Sequence, residues 1–132
     1  MIRSLDTNVL VDLLRNKNPL IKRRFLSSPP SAYAVSEIVR AELLHGAAMS
    51  QHPERNREIV NRLLDPLPLI PFKGKDSEVY GEIKADLQKQ GLLIGPNDLL
   101  IAASAFANGH LLVTRNTTEF KRVPGLLVEE WI

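Results

Sequence analysis

The amino-acid sequence predicts an α/β fold with a mostly parallel sheet, and two observations support this fold class. Short apolar runs that suit strands alternate with segments whose apolar residues recur at helical spacing. The helical segment that opens at Pro96 is apolar on nearly every side as far as Ala107, so we expect it inside the fold. The chain has 132 residues, 44% of them hydrophobic, and residues 1–132 are therefore expected to form a single domain.

The predicted elements follow from apolar periodicity and from capping residues. Helices are expected at residues 8–15, from Pro19 to the Ser28-Pro29-Pro30 break, at 36–49, from Pro53, around 79–87, and at 96–107. Prolines interleave the third strand, and because proline cannot donate to a ladder, that strand is expected at a sheet edge. The five predicted strands are residues 2–5, 32–35, 67–70, 110–114 and 126–129.

Composition excludes several classes of protein. The chain has no cysteine, which rules out disulfides and thiolate metal sites and suits a cytoplasmic protein. No apolar run is long enough to cross a bilayer, and the first residues lack the pattern of a secretory signal. The net charge of +2 and a pI near 9.1 are weak evidence for a polyanionic partner.

Two aspartates occupy positions where parallel α/β folds place functional groups. Asp6 directly follows the first strand, and functional sites form beyond the carboxyl ends of such strands. Asp98 lies in the first turn of the apolar helix, whose amino end is expected to open onto the site. The alternative for both residues is an acid that merely favours the positive end of a helix dipole.

Glu42 stands out because of its predicted place on a helix. At about 100° per residue, Glu42 falls between Ile38 and Val39 in the middle of the apolar face, whereas Glu37 and Arg40 point away. A buried ionised carboxylate is costly unless it is paired or bound to metal. The alternative to a metal ligand is an internal salt bridge with an arginine.

Glu119 follows the fourth strand and lies three residues after Asn116. This spacing is compatible with a capping box, in which Glu119 would only close the start of a helix. The alternative is a fourth acid at the same sheet edge as Asp6, Glu42 and Asp98. The remaining helix acids are expected to be solvated, and they are Asp12, Glu54, Glu58, Glu78, Glu82 and Asp86.

The four candidate acids together indicate a metal-binding site. Two bare carboxylates about 4 Å apart repel by roughly 4 kcal/mol at an effective dielectric of 20, so four would gather only if protonated or neutralised. A hard cation such as Mg²⁺ or Mn²⁺ prefers oxygen ligands and can support phosphodiester hydrolysis. The three histidines lack zinc-ligand spacing.

Several motifs, in their order along nearly the whole chain, resemble the PIN-domain family and its VapC-type toxins. The sequence opens with Leu5-Asp6-Thr7-Asn8 after a short strand, and later carries Glu42 in a helix that ends in His45-Gly46-Ala47. Each motif alone is weak, whereas the ordered set is fairly specific. The further motifs are Gly95-Pro96-Asn97-Asp98, Ile101-Ala102-Ala103, Thr114-Arg115-Asn116, Glu119-Phe120, Val123-Pro124-Gly125-Leu126 and Glu130-Trp131.

This resemblance implies a three-layer α/β/α sandwich with a five-stranded parallel sheet. It also implies metal binding by Asp6, Glu42 and Asp98, with Glu119 as an auxiliary catalytic acid. The implied activity is Mg²⁺- or Mn²⁺-dependent hydrolysis of RNA by activated water. The implied partners are a VapB-type antitoxin, whose tail enters the catalytic groove, and a second copy of the chain in a homodimer.

One departure from the family pattern concerns the second metal site. Many PIN domains carry an aspartate where this chain has Asn116, so Glu119 is the expected substitute. Thr114, Arg115 and Asn116 are expected to assist at the site, with Arg115 either holding an RNA phosphate or lying solvated in a loop. A catalytically silent module that binds RNA or protein is the alternative function.

Overall fold

The computed structural model describes residues 1–132, and its element order is the alternating one that the sequence predicts. A 3₁₀ turn, Pro30–Ala32, precedes the second strand. The strands are β1 (Arg3–Leu5), β2 (Tyr33–Ser36), β3 (Leu69–Ile70), β4 (Leu111–Thr114) and β5 (Val128–Glu130). The helices are α1 (Thr7–Arg15), α2 (Pro19–Leu26), α3 (Glu37–Ala48), α4 (Pro53–Leu64), α5 (Lys75–Lys89), α6 (Pro96–Ala107) and α7 (Thr117–Phe120).

The five strands form one parallel sheet in the order β3-β2-β1-β4-β5. The chain steps from β1 to β3 in one direction, then crosses to β4 and β5 in the other. Because parallel crossovers are right-handed, this reversal places α1 to α4 on one face of the sheet and α5 to α7 on the other. The predicted five-stranded parallel α/β/α sandwich is therefore confirmed.

The third strand lies at the sheet edge, as its prolines predict, and is only two residues long. The fifth strand begins two residues later than predicted and pairs with β4 from Val128 to Glu130. The second strand begins at Tyr33, because Ala32 belongs to the 3₁₀ turn. These shifts of one or two residues leave the strand ends near the site in their expected places.

A single apolar core lies between the sheet and its helices. The two central strands contribute Leu5 and Leu112, and α6 contributes Leu99, all of them nearly inaccessible to solvent. The predicted burial of α6 is confirmed from Ile101 to Ala105, whereas Phe106 near its end is exposed. No helix of the protein combines the length and apolar character that crossing a bilayer requires.

Candidate active site

The chain adds strands on one side of β1 as far as β3 and then on the other side from β4. A crevice lies at the carboxyl ends of β1 and β4, where this reversal occurs. The two strands are paired, with Leu5 opposite Val113, but the chain leaves them toward opposite faces. Asp6, which follows Leu5, lines the crevice, and Thr114, which follows Val113, is buried beside it. The Thr114 hydroxyl donates a hydrogen bond to Asp6 Oδ2 at 2.6 Å.

Asp6 is buried at this crevice, with only 4% of its surface exposed. Its Oδ1 accepts a hydrogen bond from the Thr7 amide at 2.8 Å, so Asp6 caps α1 as the alternative interpretation required. Burial raises the pKa of the Asp6 carboxyl, the two hydrogen bonds oppose that rise, and the charge of Glu42 adds to it. Asp6 is therefore both a helix cap and one of a group of interacting acids.

Glu42 is half-buried, and its place on α3 corrects the sequence prediction. The side of α3 that is fully buried carries Val39, Leu43 and Ala47, so Glu42 lies at the margin of the buried face and not at its centre. The difference arises because α3 packs against α4 as well as the sheet. The margin position leaves the Glu42 carboxylate facing the crevice that Asp6 lines.

Two polar residues that the sequence analysis did not nominate hold the Glu42 carboxylate. The Thr7 hydroxyl donates to Glu42 Oε1 at 2.6 Å, and Asn97 Nδ2 donates to Oε2 at 3.3 Å. Thr7 therefore links Asp6 and Glu42 through its amide and its hydroxyl. Both residues adjoin nominated aspartates in sequence, and this adjacency was the only available signal.

Asp98 shows the strongest electrostatic perturbation in the group. Its pKa is raised to about 7, first by burial, then by a hydrogen bond with Glu119, and further by the negative charges of Asp6, Glu119 and Glu42. Asp98 therefore interacts electrostatically with each of the other three candidate acids. A carboxyl group in such a crowded cluster favours a bound proton or a nearby cation.

Glu119 does not form the capping box that its spacing allowed. No side chain caps the start of α7, and Asn116 Nδ2 instead donates to Glu119 Oε2 at 3.2 Å. The backbone amide of Asn116 donates to Thr114 Oγ1 at 2.9 Å, which places Asn116 beside the end of β4. Glu119 thus lies between Asn116 and Asp98, with no role as a cap.

Arg115 lies at the rim of the crevice and is paired with Asp12. Its Nη1 lies 2.8 Å from Asp12 Oδ2 and 3.1 Å from Oδ1. The expectation that Asp12 is merely solvated is wrong, because its side chain is only 17% exposed and lines the same crevice. Sequence periodicity could not reveal this, since Arg115 is distant in sequence.

Two adjoining depressions surround these residues. The first, which we call the acid cleft, is lined almost entirely by polar and charged side chains. The second, the apolar cleft, lies between α1, α3 and α4 and shares Thr7, Val11, Arg15 and Glu42 with it. The acid cleft is lined by Asp6, Thr7, Asn8, Val11, Asp12, Arg15, Glu42, Asp98, Arg115 and Asn116. The apolar cleft adds Leu14, Leu43, Gly46, Ala47, Asn56, Ile59 and Val60.

The chemistry of the donor set fits a hard divalent cation. Asp6, Glu42, Asp98 and Glu119 offer oxygen ligands, and the charges of the other three add to the effect of burial in raising the pKa of Asp98. No three of these side chains are grouped tightly enough to form a complete metal site as they stand. Their oxygens instead accept hydrogen bonds from neighbours such as Thr7 and Thr114, which side-chain rotation could exchange for a cation.

Comparison with known proteins identifies the family. The model of the PIN domain matches residues 4–126, which is nearly the entire chain. The chain belongs to the PIN-domain family. The predicted acids of this PIN domain, Asp6, Glu42, Asp98 and Glu119, all fall within the matched residues.

The relatives of this PIN domain are VapC proteins that match it along almost their whole length. "Ribonuclease VapC2" of Rickettsia felis is 41% identical and covers 99% of this chain and 98% of its own. "tRNA(fMet)-specific endonuclease VapC" of Shigella flexneri is 35% identical, with 96% of each chain covered. A crystal structure of VapBC2 from Rickettsia felis, bound to a DNA fragment from their promoter, matches with a TM-score of 0.93, 37% identity and complete coverage of both chains.

Proposed function

We propose that this PIN domain is the toxin of a VapBC-type toxin–antitoxin system and an endoribonuclease that depends on Mg²⁺ or Mn²⁺. The observation that carries the proposal is the acid cluster itself. Asp6, Glu42 and Asp98 line one crevice at the switch point of the sheet, where burial, a hydrogen bond with Glu119 and the neighbouring negative charges raise the pKa of Asp98 to about 7. Relatives that match the full chain are named ribonucleases, which supports the enzyme over a catalytically silent binding module.

The residues that would hold the cation are Asp6, Glu42 and Asp98, with Glu119 and Asn116 as auxiliary groups. When bound, such a cation activates water and offsets negative charge on a phosphodiester. The chain's own residues orient the acids that would surround it. Thr7 positions Asp6 and Glu42 together, and Thr114 fixes the second oxygen of Asp6.

RNA would enter through the acid cleft, where Arg115 can contact a phosphate. A guanidinium binds phosphate through two parallel hydrogen bonds, and Arg115 remains 51% exposed for such a contact. A tRNA is the first substrate to test, because the Shigella relative is named for tRNA(fMet). We also propose that the protein acts in the cytoplasm, where tRNA would be available to it.

We propose two protein partners. The solved relatives are VapBC complexes, so the first is a VapB-type antitoxin. The apolar cleft adjoins the acid cleft and shares Arg15 and Glu42 with it, which makes it a suitable seat for an antitoxin segment that also blocks the site. The second partner is another copy of this chain, and light scattering on the purified protein would test for the dimer.

Substitutions that keep side-chain size test the catalytic proposal. Asp6→Asn, Glu42→Gln and Asp98→Asn weaken hard-cation ligation, so each should abolish Mg²⁺-dependent cleavage of tRNA and relieve growth arrest on expression. Glu82→Gln is the matched control, because Glu82 is an exposed acid on α5 and should leave cleavage unchanged. Cleavage by Asp98→Asn at the wild-type rate would show that the proposed site is wrong.

The same assay separates the enzyme from a silent binding module. A silent module would bind RNA or protein, yet the wild-type chain would leave RNA intact in Mg²⁺ and in Mn²⁺. Growth arrest that persists in Asp98→Asn would likewise favour a binding role. Loss of cleavage and of growth arrest together, in a variant that remains folded by circular dichroism, is the result that the proposal requires.

A further inference from the structure

The rim of the acid cleft carries two arginines in very different settings. Arg115 is paired with Asp12, whose two oxygens lie 2.8 and 3.1 Å from a single guanidinium nitrogen, Nη1. Arg15 also lines the acid cleft but makes no salt bridge with any carboxylate of the chain. The fold therefore restrains one of the two cations that face the cleft and leaves the other unrestrained.

The loop that carries Arg115 is also attached to α1 through its backbone. The Arg115 amide donates to Asn8 Oδ1 at 3.2 Å, and Asn8 precedes Asp12 by one helical turn on the same face of α1. Two contacts from one helix face thus fix both the main chain and the side chain of Arg115. This arrangement orients the side chain relative to Asp6, which begins the same helix.

The geometry of the pair leaves hydrogen-bond donors available. A guanidinium has five N–H donors in a planar fork, and Asp12 engages only one of its nitrogens. The remaining nitrogens can bind a phosphate, and a restrained side chain loses less rotamer entropy on binding. Stability alone is a weak explanation for the pair, because half-exposed salt bridges contribute about 0 to 1 kcal/mol.

We propose that Asp12 is a positioning residue that holds Arg115 toward a phosphate of RNA in the acid cleft. The inference rests on the endoribonuclease function proposed above and adds to it the role of Asp12. This positioning role and a purely electrostatic role of Asp12 predict opposite effects of its removal on RNA affinity. Removing Asp12 makes the cleft more positive. RNA binding should become tighter if net charge determines the affinity, and weaker if Asp12 acts by positioning Arg115.

The test measures RNA affinity and steady-state kinetics in parallel. Fluorescence anisotropy in EDTA gives the Kd for a labelled tRNA, and cleavage in Mg²⁺ gives KM and kcat. Asp12→Asn should raise both Kd and KM by roughly three- to tenfold, the range expected for loss of one oriented charged contact, with kcat within about twofold of wild type. Asp12→Glu keeps the charge and should recover part of the affinity.

A double-mutant cycle shows whether the effect passes through Arg115. In the Arg115→Ala background, Asp12→Asn should cause no further loss of affinity, because the side chain that it positions is gone. In the matched Arg15→Ala background the full effect of Asp12→Asn should persist. Unchanged or tighter RNA binding by Asp12→Asn would overturn the proposal, as would an effect that survives in Arg115→Ala.

The readouts also distinguish this proposal from a structural role and from failure of the proposed function. A merely structural salt bridge would lower the Tm of Asp12→Asn and reduce kcat together with affinity, which would contradict positioning. If the wild-type chain cleaves no RNA in any metal, the proposed function fails. The anisotropy measurements in EDTA still decide the role of Asp12 in that case, since they require binding but no cleavage.

Discussion

At the scale of single residues, Thr7 holds two carboxylates of the candidate site in place. Its amide binds Asp6 and its hydroxyl binds Glu42, so a neutral side chain fixes the relative positions of two carboxylates. Hydrogen bonds to the charged form stabilise a carboxylate, which partly offsets the cost of its burial. The acids can therefore remain close together in the folded chain before any cation neutralises them.

The role of Glu119 can be tested by a nearly isosteric change. Glu119→Gln should lower kcat by roughly tenfold or more, equivalent to at least about 1.4 kcal/mol of barrier, because a metal-binding or water-orienting carboxylate is lost. Folding should be preserved, since Glu119 caps no helix and a glutamine oxygen can still accept from Asn116 Nδ2. Cleavage kinetics and thermal unfolding measure the two effects separately.

A double variant shows whether Asn116 and Glu119 contribute to the same function. The double change Asn116→Asp with Glu119→Gln restores a carboxylate at the neighbouring position, so it should recover much of the lost kcat. A fully active Glu119→Gln single variant would instead deny Glu119 any catalytic part. Because the capping box is absent from the structure, helix capping could not then explain why Glu119 occupies this position.

Sequence reasoning located the four acids but missed the residues that support them. Asp6 and Asp98 could be found because strand ends and buried-helix starts are visible in periodicity. Asp12 could not, because its significance depends on Arg115, which lies 103 positions away in the chain. Pairings over such separations are properties of the folded chain, and local patterns do not encode them.

At the scale of secondary-structure elements, the order of the strands determines where the candidate site lies. The order β3-β2-β1-β4-β5 sets the ends of β1 and β4 side by side, and α6 brings its amino end to the same place. Strand and helix alternation predicted a mostly parallel sheet but not this strand order, and the prolines predicted the edge position of β3. The rotation of α3 was not predicted, because the packing partner α4 is invisible to a helical wheel of α3 alone.

The turn before β5 offers a test of element-level geometry. Gly125 has a φ of +80°, and a Cβ added there would lie 3.1 Å from Phe106 Cε2. Gly125→Ala should therefore destabilise the fold by about 1 kcal/mol or more through backbone strain and crowding. Denaturant unfolding at equilibrium measures the change.

Gly81→Ala is the matched control for this turn. Gly81 lies within α5, and a Cβ there would meet no atom within 4 Å. The substitution should stabilise the protein by roughly 0.5 to 1 kcal/mol, because alanine loses less backbone entropy than glycine in a helix. Equal effects of the two substitutions would contradict the conformation assigned to Gly125.

At the scale of the whole molecule, the modest net charge of +2 hides an uneven distribution. The acids Asp6, Asp12, Glu42 and Asp98 line the crevice together with Arg15 and Arg115. This juxtaposition of acids and arginines is compatible with the proposed RNA substrate, because a basic rim would attract phosphates while the proposed cation would neutralise the acids. Composition alone could not reveal it.

The burial of Asp98 beside other acids should appear as a pH dependence of stability. The folded-state pKa of Asp98 is about 7 against 3.8 for the free group, so the folded chain binds this proton more tightly than the unfolded chain. The resulting stabilisation is complete below about pH 4 and is lost as pH rises through about 7. In EDTA, the Tm of wild type minus that of Asp98→Asn should therefore fall across this range and level off above it.

Thermal unfolding of both proteins from pH 4 to pH 8.5 tests this expectation. Asp98→Asn lacks the titrating group, so it should be the more stable protein at the alkaline end, where the wild-type carboxyl is charged. A Tm difference that stays constant with pH would show that the pKa of Asp98 is not raised in the folded protein. Added Mn²⁺ should raise the wild-type Tm at pH 8 more than that of the variant.

If the acid cleft cleaves RNA only with a divalent cation, removal of the metal should abolish cleavage. Purified wild-type protein should cleave tRNA in Mg²⁺ or Mn²⁺, lose that activity in excess EDTA, and regain it when the cation is restored. Asp98→Asn should stay inactive at the same cation concentrations. Cleavage that continues at the full rate in EDTA, or that Asp98→Asn retains, would contradict the account.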